Sequence, residues 1–487
     1  MTVSDSITMP DSYGWVEWDV TDDVEDFVNG TRTNYGWLID TSVMADSISL
    51  FRSSDYSDSS LHPRLELELI TLPGSGTEED PWRIESDSDF QAFTLDPNYW
   101  DDYTRLQTDV NLAGITYDTA LIAPDINPAE HYFQGIAFTG VFDGNDHTIE
   151  SMHISGEGDF LALFGKIGYQ GVVKNLNLGS LPFDEAEASI SVSGSGSEYV
   201  ASLAGVNAGI LENCKCVAYV EGSTSEGRYG KYIGGLVGIN EGTDEENHAL
   251  ISNCYSRGEV FAKSYSTEIG GLAGVNYYDS TISYSGSGAN VYVVFENENV
   301  GGLVGTNSYS TVTKCYAVGH ICLHPAGQSH PTYAGGLVGY NGWEANINNC
   351  YARGKVEGGN YAGGLVGYHS ESDISKCYST GPVTGLSCVG GLIGDSNEVD
   401  PDVADSYWDV DTSGTATSDG GTGKDTYYMT QQSTFENWDF NDVWVIADCD
   451  QSYPYLRFSN QADLNHDGIV NFMDLAVMAG NWLDGVE

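Results

Sequence analysis

The stretch IGGLVGIN at residues 233–240 decides the fold, because it returns five times along the chain. The later copies are IGGLAGVN (269–276), VGGLVGTN (300–307), AGGLVGYN (334–341), AGGLVGYH (362–369) and VGGLIGDS (389–396). Their leading glycines, Gly234, Gly270, Gly301, Gly335, Gly363 and Gly390, lie 36, 31, 34, 28 and 27 residues apart. A degenerate copy, SLAGVN, ends at Asn207, and LFGKIG around Gly165 reads as another. Between the copies runs a second signature: ISNCYSRGEV (251–260), VTKCYAVGHI (312–321), INNCYARGKV (347–356) and ISKCYSTGPV (374–383). It carries Cys254, Cys315, Cys350 and Cys377; ENCKCVAYV (212–220) puts Cys214 in the same slot, and Ser283 and Ser406 are expected there in weaker copies.

Each unit offers two or three short alternating runs, such as I-x-x-C-Y and G-x-V-x-G, too short to bury a face alone. Strands of about five residues, turned by glycine and repeated every 30 residues or so, predict coils of a β-solenoid stacked roughly 4.8 Å apart. The glycine pair then supplies positive φ or a close backbone approach at a corner. Leu and Val of the motif point inward, and the closing Asn suits a left-handed turn or an amide ladder. Equivalent cysteines stack in a column inside the tube as small apolar fillers, with disulfides between neighbouring coils as the other option. Propeller blades are the minor alternative; they repeat at longer periods, with four strands each.

Lys and Arg number 18 against 71 Asp and Glu, a formal net charge of −53. That balance excludes binding to a phosphate backbone, which draws its affinity from basic side chains. It also disfavours anionic membrane surfaces and polyanionic substrates such as pectate. With 59 Gly, 31 Tyr and 40% hydrophobic residues, the chain is a folded, tightly turned β protein and not a disordered acidic one. No apolar run approaches the roughly 20 residues of a membrane span. The opening MTVSDSITMPDSYGWVEWDV lacks the basic and apolar regions of a signal peptide. Nine cysteines, spaced by the repeat, do not suggest a dense disulfide scaffold.

The repeats resemble the GLUG motif of bacterial secreted and surface proteins. The preceding GSGTEEDPWRIESDSDFQAF (74–93), LQTDVNLAG (106–114) and FTGVFDGNDHTIESMHI (138–154) resemble the first coils of GLUG-type β-helices, where a short helix, here near Asp87–Leu95, caps the open end. STFENWDFNDVWVIADCDQSYPYL (433–456) is similar to their exit segment. This resemblance implies architecture and says little about function.

Near the N-terminus, Val20, Val24, Phe27 and Val28 follow a helical spacing, and WLI, ISLF and LELELI read as strands. The pattern of DVTDxV, FVNG, YGWLI and SSDY…HPRLEL resembles the C-terminal half of a DNRLRE-type jelly-roll module of carbohydrate-associated proteins. That family's N-terminal half has no counterpart here.

The sharpest chemical motif is DLNHDGIVNFMD at 463–474. Asp463, Asn465, Asp467, Asn471 and Asp474 fall at positions 1, 3, 5, 9 and 12 of a calcium loop, and Ile469 offers its carbonyl at position 7. Gly468 permits the sharp turn, while Asp474 stands where EF-hands prefer the longer Glu. The segment resembles a single dockerin repeat. Paired-loop cohesin binding does not carry over to one copy.

Parallel β-helices also host polysaccharide lyases and hydrolases, and glycoside hydrolysis needs two carboxylates about 5–10 Å apart. Acidic pairs such as Asp22–Asp23, Asp101–Asp102 and Glu245–Glu246 read as solvated surface. Arg257, Arg353 and Lys355 sit at repeat positions and look structural. In GHICLHPAGQSH (319–330), His320, Cys322 and His324 alternate along a strand, and His330 could join them around a transition metal. The cluster also reads as an insertion loop between two copies.

The expected fold is therefore all-β: a right-handed parallel β-helix over 72–457, after a partial β-sandwich module at 1–71 and before a short α-helical, EF-hand-like repeat at 458–487. The expected function is a non-catalytic extracellular or cell-surface structural or adhesion protein. Calcium is its expected cofactor, and carbohydrate, matrix or further copies of the chain are its candidate partners. A polysaccharide-degrading enzyme is the alternative.

Overall fold

The structure, a computed structural model, describes Val20 and residues 71–457 apart from 128–131, 181–188, 224–230, 243–247, 264–266, 295–298, 324–331, 398–401 and 447–451. The chain divides into two units, Met1–Leu69 and Ile70–Glu487, and the described residues, Val20 aside, belong to the second. The expected half-module at the N-terminus, Val20 and residue 71 aside, and the calcium module at 458–487 lie outside the described residues.

One coil shows the plan. From Tyr232 the chain runs through the strands Tyr232–Gly234, Val237–Glu241, Leu250–Ser252 and Tyr255–Ala262, then begins the next coil at Glu268–Gly270. Each strand pairs in parallel with its equivalents in neighbouring coils: Ile233 sits beside Ile269, and Asn240 beside Asn276. Among the described residues four parallel sheets result, a glycine-pair sheet and an asparagine sheet of 8 strands each, an isoleucine sheet of 11 and a tyrosine sheet of 18. The tyrosine sheet has the most members because most coils split that strand, as at Thr148–Glu150 and Met152–Gly156 or at Tyr316–Ala317 and Ile321–Leu323. Stacking of successive units by parallel pairing is a β-helix and excludes the propeller, whose blades are separate radial sheets.

The motif packs as its alternation demands. Leu236, Leu272, Leu303, Leu337, Leu365 and Leu392 are fully buried, one above another, as are Val237, Ala273, Val304, Val338, Val366 and Ile393. The glycine pairs serve close approach alone. None of the six leading glycines has positive φ, but a Cβ on Gly234 would lie 1.9 Å from the Val237 carbonyl oxygen, and one on Gly235 would lie 2.1 Å from that of Gly271. The left-handed corner is elsewhere, at the residue before the cysteine slot. Asn213, Asn253, Tyr284, Lys314, Asn349, Lys376 and Asp405 all take φ between 49° and 55° there.

The closing asparagines form an amide ladder in the core. Asn207 Nδ2 donates to Asn240 Oδ1 at 2.7 Å, Asn240 to Asn276 at 2.8 Å, Asn276 to Asn307 at 2.9 Å and Asn307 to Asn341 at 2.8 Å. The last rung joins Asn341 Nδ2 to His369 Nδ1 at 3.3 Å. All six side chains are buried, so each bond replaces water that cannot reach them.

The cysteine column is also real. Backbone N–H groups of Cys214, Cys315 and Cys350 point at the sulfurs of Cys254, Cys350 and Cys377, at 3.5, 3.4 and 3.4 Å. In the weaker copies Ser285 and Ser406 take the slot, accepting from the N–H of Cys254 and Cys377 at 3.0 and 3.1 Å. Ser285, not Ser283, is the equivalent, because Ser283 pairs with Thr313, two residues before Cys315. The eight described cysteines are free thiols. Burial raises the Cys254 and Cys350 thiols well above the usual range, and it pushes Cys216, beside the column, up to about 11.

Both ends of the stack are covered. The helix Asp87–Leu95 starts at Ser86, whose Oγ accepts from the Asp89 N–H at 3.1 Å, while Asp89 accepts in return from the Glu85 N–H at 3.0 Å. It buries Phe90 and Phe93 over the first coils, with the Phe93 and Phe142 rings 5.4 Å apart. At the other end the loop after the last copy pairs with the final motif: Gly391 N–H reaches Thr417 O at 2.9 Å, and Ile393 N–H reaches Ser418 Oγ at 2.9 Å.

The exit segment folds back along the outside of the tyrosine sheet. There Tyr316, Tyr351 and Tyr378 stack at 5.4 and 5.2 Å. Trp444 is fully buried against Tyr351 and Tyr378, and its Nε1 donates to Asn349 Oδ1 at 3.2 Å. Arg353 lies 4.7 Å over the Tyr351 ring and donates to Pro454 O at 2.9 Å, which ties the segment to the repeat. Trp444→Ala should therefore cost about 3–5 kcal/mol and expose 433–457 to protease before the coils unfold. Limited proteolysis read by mass checks the order; simultaneous digestion of the whole chain would disprove the strap.

Candidate interaction surface

The outward positions of the glycine-pair and asparagine sheets face one another across a corner, because residues alternate in and out along each strand. On the glycine-pair side the successive outward residues are Phe160, Tyr199, Tyr232, Glu268, Asn299, Tyr333, Tyr361 and Cys388. On the asparagine side they are Lys166, Val206, Ile239, Val275, Thr306, Tyr340, Tyr368 and Asp395. The corner is thus a groove walled by aromatics along the stack and filled by its own side chains over much of its length, since Phe160, Val206, Ile239, Val275, Asn299 and Thr306 are buried. At its lower end Phe160 and Tyr199 stack at 4.7 Å, with Tyr232 5.0 Å further on, over Val206, Ile239 and Val275. At its upper end Tyr333 meets Tyr361 at 5.2 Å and Tyr368 at 4.7 Å, and Tyr340 lies parallel to Tyr368 at 6.0 Å. The Tyr340 ring lies across Gly342, where a Cβ would come within 2.5 Å of it.

Between these clusters the lining turns polar. Asn299 Nδ2 donates to Glu268 Oε2 and to Thr306 Oγ1, both at 2.9 Å, and the Thr306 hydroxyl donates to Glu268. Toward the lower end Glu241 has Lys166 Nζ 3.9 Å away, and burial raises its carboxyl above the usual range. Burial, helped by Glu268, Glu198 and Glu241, pushes Tyr232 up to about 12, and burial raises Tyr340 and Tyr368 as well. These phenols stay neutral donors across the physiological range.

A second aromatic row borders this surface at the next corner. Tyr278, Tyr309 and Trp343 occupy left-handed positions of three successive coils, with φ of 48°, 51° and 55°. Their rings are parallel within 13° and 6.1 Å apart, yet they stay 54%, 41% and 46% exposed. A left-handed φ on a bulky residue costs free energy, and three in register leave apolar rings in water. Trp343 links the row to the groove through Tyr340, 5.4 Å away.

Of the residues expected to carry chemistry, the calcium-loop set Asp463, Asn465, Asp467, Ile469, Asn471 and Asp474 lies outside the described residues, as do His324 and His330. His320 is a corner brace: its Nδ1 accepts from the Lys355 N–H at 3.0 Å, and its own N–H donates to Asn290 Oδ1 at 3.0 Å. Cys322 pairs in register with Tyr292 and Glu357. Among the described residues no group of three or more His, Cys, Asp and Glu side chains is placed to hold a metal ion. Asp102 accepts from Trp82 Nε1 at 2.9 Å and is structural; Asp22, Asp23, Glu245 and Glu246 are outside the described residues. The aromatic rows escaped the sequence reading, although their signal was present in the residue just before each motif, as at Tyr232, Tyr333 and Tyr361, and in the seventh residue of some motifs, as at Tyr340 and Tyr368.

The repeats match a known motif. It is the GLUG motif. Four copies match, at residues 229–260, 296–321, 330–357 and 358–384. Over 171 residues the chain is 31% identical to halomucin of Haloquadratum walsbyi, a match that covers 35% of this chain and 2% of that protein. Among solved structures, a Bacteroides ovatus protein described as a candidate immunoglobulin A1 protease aligns over 79% of this chain and 94% of its own, at 19% identity and a TM-score of 0.41. A chain described as IgA1 protease aligns over 73% of this chain and 24% of its own, at 14% identity and a TM-score of 0.36. Among the described residues no helix is long and apolar enough to cross a membrane.

Proposed function

We propose that the chain is a non-catalytic extracellular or cell-surface scaffold that holds a contact surface rigid and attaches to carbohydrate or matrix. The observation that carries this reading is the exposed, parallel row of Tyr278, Tyr309 and Trp343, repeated at the period of the coils. Side chains that only closed a core would be covered; these are kept in water by the geometry of the corner. Weak contacts repeated along a stiff body add through effective concentration. The GLUG repeats and the stretch shared with halomucin support a surface or structural role. The closure of the last coil by residues 417–418 favours lateral or terminal-module attachment over end-to-end stacking.

The rival is hydrolysis in the groove. Its best support is Asp395, whose carboxyl is raised by partial burial and by Asp419 beside the upper tyrosines. Incubating the protein with a panel of polysaccharides and assaying new reducing ends and unsaturated products separates the two. The scaffold reading expects none; turnover that disappears in Asp395→Asn would replace it with the enzyme.

The terminal module is assigned to calcium on its loop pattern. Titration calorimetry of the full chain should show one saturable site, abolished in Asp463→Ala/Asp467→Ala. Calcium at a hundredfold its Kd should stabilise the module that binds it by about 2.7 kcal/mol. Identical heats and melts in calcium and in chelator would remove the assignment.

A further inference from the structure

We infer that His369 makes the top of the solenoid acid-sensitive: it ends the buried amide ladder as an uncharged acceptor, and its protonation unlocks the last coils.

The ladder has a direction. Each Nδ2 from Asn207 to Asn307 donates to the amide oxygen of the next coil, so Asn341 is left with its own Nδ2 facing His369 Nδ1 at 3.3 Å. The acceptor there is a nitrogen lone pair, which requires the neutral ring with its proton on Nε2. The four lower rungs end on amide oxygens and carry no such demand.

Backbone groups prevent the ladder from reversing to suit a cation. Asn207 Oδ1 accepts from the Gly209 N–H at 3.2 Å, and its Nδ2 donates to Gly209 O at 3.3 Å. Asn276 Nδ2 donates to Thr311 O and Asn307 Nδ2 to Ser310 O, both at 3.3 Å. Flipping these amides would set oxygen against oxygen at each. A proton on Nδ1 therefore meets the Asn341 amide protons, donor against donor, where both side chains are fully buried.

The surrounding charges do not rescue the cation. Among the described residues, the ionisable groups on the elements packed about His369 are Tyr340, Tyr368 and Asp395 of the asparagine sheet and Glu344, Glu371, Asp373 and Asp402 at the next corner. Carboxylates attract an imidazolium, but the four corner acids stand in water, which screens them. Asp395 is only half-buried, and burial and Asp419 raise its carboxyl; burial raises both phenols, which stay neutral. Ser396, in register above His369, can donate or accept and sets no proton count.

The same rung backs the exposed aromatic row. Trp343 lies two residues beyond Asn341, and its N–H donates to the carbonyl of Ser370, next to His369, at 3.2 Å. Acid that breaks the rung loosens the corner holding Trp343. The effect on binding rests on the scaffold reading; the acid sensitivity does not.

Above about pH 6.5 the imidazole is neutral in the unfolded chain too, and the ladder is intact. Below that value the unfolded chain takes up a proton that the folded ladder refuses, so the folding constant falls by up to about tenfold per pH unit. Urea denaturation of the full chain between about pH 8 and pH 5 reads this as the ratio of wild type to His369→Asn, which puts an amide oxygen in place of the ring. Taking the ratio cancels the shared titration of the 71 acids. It should be flat above about pH 6.5 and fall below it. Asn341→Asp gives the opposite sign: a carboxylate shares the Nδ1 proton, so this variant should gain on wild type as the pH falls, and it decides alone should His369→Asn not fold. Hydrogen exchange of the wild type at about pH 5.5 should open 338–342 and 366–370 before 237–241 and 273–277. Parallel profiles for wild type and His369→Asn, Asn341→Asp falling with the wild type, or exchange that begins in the lower coils overturns the inference. A chain that binds no carbohydrate or matrix would sink the scaffold reading and leave these outcomes unchanged.

Discussion

Gly301→Ala should prevent the solenoid from folding, a larger effect than any truncation in its core. Gly301 stands in register with Gly270 on one side and Gly335 on the other, inside the glycine-pair sheet. A methyl there would sit 1.8 Å from the carbonyl oxygen of Val304, 2.6 Å from its carbon and 2.8 Å from the Leu337 carbonyl oxygen. The first two atoms are backbone of the same coil and the third belongs to the next, so no side-chain rotation relieves the clash. Moving the corner outward would break pairings to two neighbours at once, and the cost should exceed about 4 kcal/mol, in the range reserved for broken backbone geometry. Gly158→Ala is the matching control: its added Cβ meets only Leu161 Cδ2, at 3.8 Å, and φ is not positive. Soluble yield and the circular dichroism melt should collapse for Gly301→Ala and stay near wild type for Gly158→Ala. A Gly301→Ala protein melting like the parent would show that the pairs are not required for close approach.

Asn276→Ala should cost about 2–5 kcal/mol, far beyond its side-chain volume. Asn276 accepts from Asn240 at 2.8 Å and donates to Asn307 at 2.9 Å, with Thr311 O a further acceptor at 3.3 Å. Truncation strands a buried donor on one side and a buried acceptor on the other, each about 1–3 kcal/mol when water cannot enter. Because the two residues share one bond, Asn276→Ala/Asn307→Ala should cost less than the sum of the singles. Chemical denaturation with both singles and the double measures this, and strict additivity would mean the amides do not act as a ladder. Breaking the ladder in mid-stack could also split the transition in two, since solenoid coils are held by their neighbours.

Much of this architecture can be read from the chain itself, and the exceptions are instructive. The helix Asp87–Leu95 was expected from the resemblance to the first coils of GLUG-type β-helices, and the structure has it there. The cysteine column was legible from I-x-x-C spacing; the same spacing, counted from Ile282, leads to Ser285, and only the pairing with Thr313 excludes Ser283. The left-handed corner was not legible. It falls on Lys314 and Lys376 as readily as on Asn213 and Asn253, so no residue type marks it. Of the two roles open to the glycine pairs, positive φ or close approach, the structure has the second: another backbone passes through the space of a Cβ, which sequence alone does not distinguish from a turn. Arg353 and Arg257 look alike in the repeat, yet Arg353 is a clamp because Pro454 and Tyr453 return to it from a hundred residues away.

By itself the sequence determined the period, the inward residues and the stacking of coils, since all of these follow from local alternation repeated at near-constant spacing. Tertiary structure alone decided which outward side chains became a surface. The exit segment closes over Tyr351 and Tyr378, whereas Tyr309 and Trp343 stay in water. Tyrosines of one chemical type are core on one flank and exposed on another, and what separates them is what folds back over each.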